Sequence, residues 1–134
     1  MTAAEILRDH LAELTATTGV TGEVIAQDMQ LHVVLHSVTL PPGAFAVPKT
    51  QALFITDRQY PLSAMDMFWT DVEVVRADGA IPENATEIEH HLDRSWRRFS
   101  WHRNGIWNPS GNPLLDHFAF MEQRFALEPR QEAA

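Results

Sequence analysis

Apolar residues recur at Ile6, Leu7, Leu11 and Leu14, with charged residues lying between them. That spacing makes a helical stripe, and Gly19 supplies a stop, so a helix is expected over residues 3–16. The period then changes. "GEVIAQ" (22–27) and "LHVVLHSVTL" (31–40) are rich in β-branched residues and are separated by the polar "DMQ", which reads as two strands. "LPPGAFAVPK" breaks the pattern, because proline has no N–H to give to a ladder. "TQALFIT" (50–56) reads as a third strand. "DRQYPLSAMD" (57–66) reads as a turn or extended segment, since Pro61 keeps Tyr60 out of helical geometry. "MFWTDVEVV" (67–75) reads as a fourth strand, with Asp78-Gly79 as the turn that closes it.

"ATEIEHHLDRSWRRF" (85–99) allows a short helix or an irregular flap, and a partly helical segment is expected there. "NGIWNPSGNP" (104–113) has the composition of a loop. Asn112 is then placed to cap a second helix and Pro113 to open it, the position proline tolerates best. Leu114, Leu115, Phe118, Met121 and Phe125 give that helix a core-facing stripe. The order is a helix, a four-stranded antiparallel meander, a long irregular segment and a helix. This is an α+β plan with helices packed on a sheet. One domain is expected over residues 1–128, with 129–134 as a flexible polar tail.

Composition narrows the chemistry more than the fold. The 134 residues suffice for one domain that buries about two thirds of its unfolded surface without a metal or disulfide. A formal net charge of −8 argues against general nucleic-acid binding, which requires neutralising phosphates. No apolar run approaches the roughly 20 residues of a membrane span. Glu5, Arg8 and Asp9 interrupt what a signal peptide would keep apolar, so a cytoplasmic location is expected. The sequence has no cysteine, which removes a thiolate nucleophile, a thioester, a disulfide and a cysteine-ligated zinc site.

One lysine, Lys49, stands against nine arginines, and Arg94, Arg97, Arg98 and Arg103 crowd into ten residues. They read either as a solvated basic face or as a docking patch for a carboxylate-bearing partner. Trp96, Trp101 and Trp107 read as core or lid residues. In an extended segment, however, Trp96 and Trp101 fall on opposite faces, so part of this stretch is expected to be a binding surface. Ser100 and His102, two positions apart, would share a face and could form a Ser–His dyad. Alternatively, Ser100 caps a turn and His102 bonds a loop carbonyl. His90, His91 and His102 with Asp93 lack the spacing of a metal site, and the scattered glycines form no phosphate loop, so no metal or cofactor is expected. His32 and His36 are expected to face solvent from their strand.

Three motifs in order carry a resemblance. They are "LPPGAF" (40–45), "YPLSAMDMFW" (60–69), and "WRRFSWH" (96–102) followed by "WNPSG" (107–111). Together with the order of elements, over roughly residues 20–127, the chain resembles the ubiquitin-conjugating-enzyme (UBC) fold. It is most similar to the bacterial branch called prokaryotic ubiquitin-conjugating-enzyme-like family E. It departs from that pattern in three ways. Conjugating enzymes carry an acceptor cysteine just after the meander, and this chain has none. Ala64 and Met65 stand where the family pattern has a proline. A single helix follows the meander, where conjugating enzymes continue with more.

The resemblance implies a UBC-like protein that works without a thioester. It would bind and position a ubiquitin-like protein, a ubiquitin-activating-enzyme-like protein, or both, with a deconjugating metalloprotease as a further partner. Arg94, Arg97, Arg98, Trp101, Arg103 and Trp107 would form its working face. The alternative is an acyl-transfer enzyme using His102, with Ser100, through an oxyester or by direct transfer. A protein-binding module unrelated to ubiquitin-like modifiers is the third reading.

Overall fold

The computed structural model describes residues 1–103 and 105–130. Helix α1 (Ala3–Thr18) opens on a capping box, in which Thr2 and Glu5 satisfy each other's backbone N–H groups, and it ends on Gly19 at φ 80°. Leu7, Leu11 and Leu14 are its buried stripe. Strands β1 (Gly22–Gln27) and β2 (Gln30–Thr39) form a hairpin whose two turn residues, Asp28 and Met29, both have positive φ. Strand β3 (Lys49–Asp57) follows the proline-rich connection. Strand β4 is only Phe68–Thr70. The expected run to residue 75 stops because the Asp71 backbone N–H is taken by Thr50 Oγ1, and the Asp71 carboxylate accepts from the Gln51 N–H and from Arg94.

Residues 85–99 are not helical. They form a second hairpin, β5 (Ile88–His91) and β6 (Arg94–Phe99), turning on Leu92 and Asp93 at φ 52° and 63°. Two central residues with positive φ define the hairpin turn that matches strand twist. Among the described residues the sheet therefore has six strands instead of the expected four, all antiparallel, in the order β1-β2-β3-β4-β6-β5. Helix α2 (Pro113–Ala126) begins as expected, with the Asn112 side chain accepting from the Leu115 N–H at 3.0 Å. Of the expected tail, residues 131–134 lie outside the described residues. Glu128, just before it, is buried against Arg76 at 2.9 Å.

The sheet is apolar on both faces at its centre, as the unbroken buried run Leu31–Leu35 requires. Val33, Leu35, Ala52, Phe54, Phe68 and Phe99 join α1 and α2 in the main core. Val34, Leu53, Trp69 and Trp96 form a smaller cluster, against which Leu92 of the β5–β6 turn packs. That turn also borders His32, which is buried and bonded through Nδ1 to the Ile25 carbonyl, and so does not face solvent as expected. His36 is exposed. No described helix is long and apolar enough to cross a membrane.

His117 joins α2 to the segment leading into β4. Its ring is wholly buried, edge-on to Phe54 at 4.7 Å, and Nε2 donates to the Met67 carbonyl at 2.7 Å. Nδ1 has no partner among the described residues, which suits the bare lone pair of a neutral ring. Burial pushes the imidazole down to about 4, and the nearby Arg103 charge adds to the effect. Between pH 4 and 6.5 the unfolded chain therefore holds a proton here that the folded chain does not. Stability from this group is complete above pH 6.5 and falls as pH drops towards 4, by roughly 3 kcal/mol. Denaturant melts across this window should show that fall in the wild type and a flatter curve in His117→Gln; equal slopes would contradict the assignment.

Candidate functional site

The chain leaves the sheet after Phe99, which stacks on Phe68 with ring centres 5.0 Å apart. The Ser100 N–H is held by the Asn84 carbonyl, and the next residues cross towards α2. Trp101 is half-buried against the main core, under the Arg124 guanidinium at 3.4 Å. His102 points outward, with 73% of its side chain exposed, and its Nδ1 meets Asp66 Oδ2 at 2.7 Å. Arg103 lies over the Trp107 ring at 5.2 Å. Trp107 Nε1 donates to the Pro61 carbonyl at 2.7 Å, and its ring stands edge-on to Tyr60. The Tyr60 hydroxyl is bonded to His10 of α1 at 2.6 Å.

Two clefts flank this crossing. The larger, of about 490 Å³, lies between the crossing and the outer side of α2; His102, Arg103, Asp116, Phe120 and Arg124 are among its walls. The smaller, of about 300 Å³, is bounded by Ala64, Met65, Asp66, Arg103, Gly105 and Trp107. Arg103 and Gly105 border both.

The structure separates the four arginines that the sequence groups. Only Arg103 reaches the clefts. Arg97 is buried, and its guanidinium donates to the Val72 carbonyl at 3.0 and 3.2 Å and to the Ala85 carbonyl at 2.7 Å. It is a structural cation, inaccessible to a docking partner. Arg94 stacks on Trp96 at 3.8 Å and pairs with Asp71 at 2.8 Å and with Gln51. Arg98 pairs with Glu89 at 2.7 Å, and Glu89 also accepts from Trp69 Nε1 and His91. Burial pushes the Glu89 carboxyl up, but the bonds from His91 and Trp69 and the Arg98 charge outweigh it and hold the group below the usual carboxylate range.

Trp96 and Trp101 do fall on opposite faces, as the spacing requires; Trp96 is buried, while Trp101 is half-buried and lines the larger cleft. The sheet has a core on each side, and an arginine closes each indole. Opposite faces therefore do not by themselves leave a tryptophan fully exposed, because each face has a core. Nor are Ser100 and His102 joined by a hydrogen bond. Ser100 Oγ accepts from Arg98 Nε at 2.8 Å, while His102 turns to Asp66. Ser100 borders neither cleft.

Asp66 and Arg124 are the residues that sequence reasoning missed. Asp66 belongs to the second quoted motif, but it lies 36 positions from His102, beyond any spacing signal. Arg124 stands among the apolar positions of α2 with nothing to mark its indole contact. Among the described residues, no three histidine or acidic side chains are grouped to hold a metal ion.

The family model described as Prokaryotic E2 family E matches residues 8–128, and so takes in the whole sheet, the crossing and α2. Compared with curated proteins and with solved structures, the chain finds no match. With nearly its full length matched, the chain belongs to the prokaryotic E2 family E.

Proposed function

We propose that this chain binds and positions the components of a bacterial ubiquitin-like conjugation system and carries no thioester itself. Family membership supports the pathway. The observation that carries the finer reading is the pairing of a ligand-sized cleft with the absence of a thiol. Where the acceptor would be sought, two clefts meet around Arg103 and the His102–Asp66 pair, and the sequence has no thiol anywhere. A serine hydroxyl is essentially un-ionised at neutral pH, so an acyl group has no ready nucleophile here. The partners in this reading are a ubiquitin-like protein and an activating-enzyme-like protein, with a deconjugating metalloprotease acting on the same modifier. The working face is the crossing Trp101–Arg103 with Trp107. Arg94 and Arg98 belong to the network on the other face, and Arg97 belongs to the core.

A second reading rests on the His102–Asp66 contact. With Nδ1–H held by the carboxylate, Nε2 is left as a base, as in an Asp–His pair. In that reading the chain would assist direct transfer of an acyl group from a partner's thioester to an amine: the C–N bond forms, the C–S bond breaks, the thiolate leaves on the partner and His102 takes the amine proton. The oxyester route through Ser100 has no comparable support, because Arg98 holds its hydroxyl away from His102.

Binding of the purified chain to a ubiquitin-like protein and an activating-enzyme-like protein from the same organism tests the first reading. Trp101→Ala and Arg103→Gln should each weaken binding about thirty-fold, the ~2 kcal/mol loss that marks a hot spot, while Arg94→Gln leaves it unchanged. Wild-type binding to neither partner would sink the proposal. For the second reading, transfer from the charged activating protein to free lysine should accelerate in the presence of the chain and lose that gain in His102→Gln and Asp66→Asn. A rate indifferent to the chain removes it.

A further inference from the structure

A leucine at positive φ is a costly way to make a turn, and the β5–β6 hairpin turns on one, Leu92, followed by Asp93. Two contacts hold this turn down. The Leu92 side chain packs on the cluster of Val34, Leu53, Trp69 and Trp96, and the Trp96 indole N–H donates to the His91 carbonyl at 2.9 Å. Beneath the turn lies His32. Its neighbours across the sheet are Ile25 of β1 and Ile55 of β3, both packed on the same cluster. His32 is only 3% exposed, yet it lines a cleft of about 240 Å³ between the β1–β2 and β5–β6 turns. Its Nδ1 faces the Ile25 carbonyl at 3.3 Å, so Nε2 is where a second proton would go.

The groups that face this ring are mixed in charge. Asp28 comes from the β1–β2 turn, beside the neutral Gln27 and Gln30, and His90, His91 and Asp93 come from the hairpin. Asp28, His90 and Asp93 are exposed, so water screens them. His91 is half-buried and bonded through Nε2 to Glu89 at 3.0 Å. Ile55 is the neighbour from β3 and carries no charge. Burial holds the His32 imidazole below its ordinary range; the bond to Ile25 opposes this, the His91 charge adds to it, and the Asp28 charge opposes it weakly.

We infer that the tip of the β5–β6 hairpin is a proton-released clasp: a proton on His32 frees Leu92 and Asp93 from the β1–β2 turn while the rest of the sheet stays folded. A lifted tip returns His32 to water, where the ring takes a proton more readily than under the closed turn. Closure is therefore favoured fully above pH 6.5 and progressively less below it. Release bares Ile25 and Ile55. Further along the hairpin, β6 remains paired with β4 through Arg97, Arg98 and Phe99, so the crossing keeps its anchor. The clasp does not depend on the proposed function.

Hydrogen exchange of the isotope-labelled full chain, followed by NMR between about pH 7.5 and about pH 5 and corrected for the intrinsic pH dependence of exchange, reads the opening site by site. Protection of the Trp96 indole N–H and of the backbone amides of residues 91–94 should fall with pH, by at most the roughly ten-fold per unit that one proton allows. The Leu53 and Phe54 amides of β3 should stay far better protected. His32→Gln keeps a side-chain donor for the Ile25 carbonyl and cannot take a proton, so it should make hairpin protection independent of pH. His117→Gln should leave the fall in place, which separates the clasp from the effect of that ring on global stability. His90→Gln, at an exposed position, should leave it in place as well.

The inference is overturned if hairpin and β3 protection fall together, if hairpin protection is flat across the range, or if the fall survives in His32→Gln. Should His32→Gln fail to fold, the first two outcomes in the wild type still decide.

Discussion

The candidate site depends on the bond from His117 to the Met67 carbonyl. It is made inside the main core, where an unmet carbonyl would be expensive, and it joins two segments 50 residues apart in sequence. Met67 lies at φ 57°, a conformation that turns the chain from the Asp66 loop into β4. By gripping that turn, α2 sets its own distance from Asp66, and therefore from His102. Two further bonds complete the frame: Trp107 to the Pro61 carbonyl, and the Asn112 amide to the His10 carbonyl of α1. The clefts are the gaps left between elements held in this way.

Much of the fold was legible because its signals are local. Both helices announce themselves by an apolar stripe and a boundary signal, Leu7, Leu11 and Leu14 with the Gly19 stop, and Leu114, Phe118 and Met121 with Asn112-Pro113. The first three strands show in their β-branched residues. The β5–β6 hairpin did not show, because its turn places Leu92 and Asp93 at positive φ without the glycine or asparagine that usually marks such turns. Its glutamate, histidine and arginine content also suits a helix. The site was only half legible. The crossing and His102 stand within quoted motifs. The partners that define them, Asp66 for His102 and Arg124 for Trp101, come from distant segments that only the tertiary fold brings near.

The tryptophans show how a sound rule can mislead. Alternation does send Trp96 and Trp101 to opposite faces, but it implies an exposed ring only if one face is wet. Here Leu53 and Trp69 give the second face a core, and the Arg94 and Arg98 networks close it. Stacking on indoles and forking onto carbonyls both need a planar, permanently charged group. The roles of Arg94, Arg97, Arg103 and Arg124 thus account for the preference for arginine over lysine. A basic run in the sequence is in this case largely an internal scaffold, with one member, Arg103, left at the site.

Membership of a conjugating family and the lack of any thiol together lead to the proposed function, in which the chain positions partners and stores no acyl group itself. The most direct measurement is the intact mass of the chain after incubation with an activating-enzyme-like protein, a ubiquitin-like protein and ATP. The account predicts an unmodified mass under denaturing conditions and a non-covalent complex under native ones. A covalent modifier adduct that survives denaturation would contradict it.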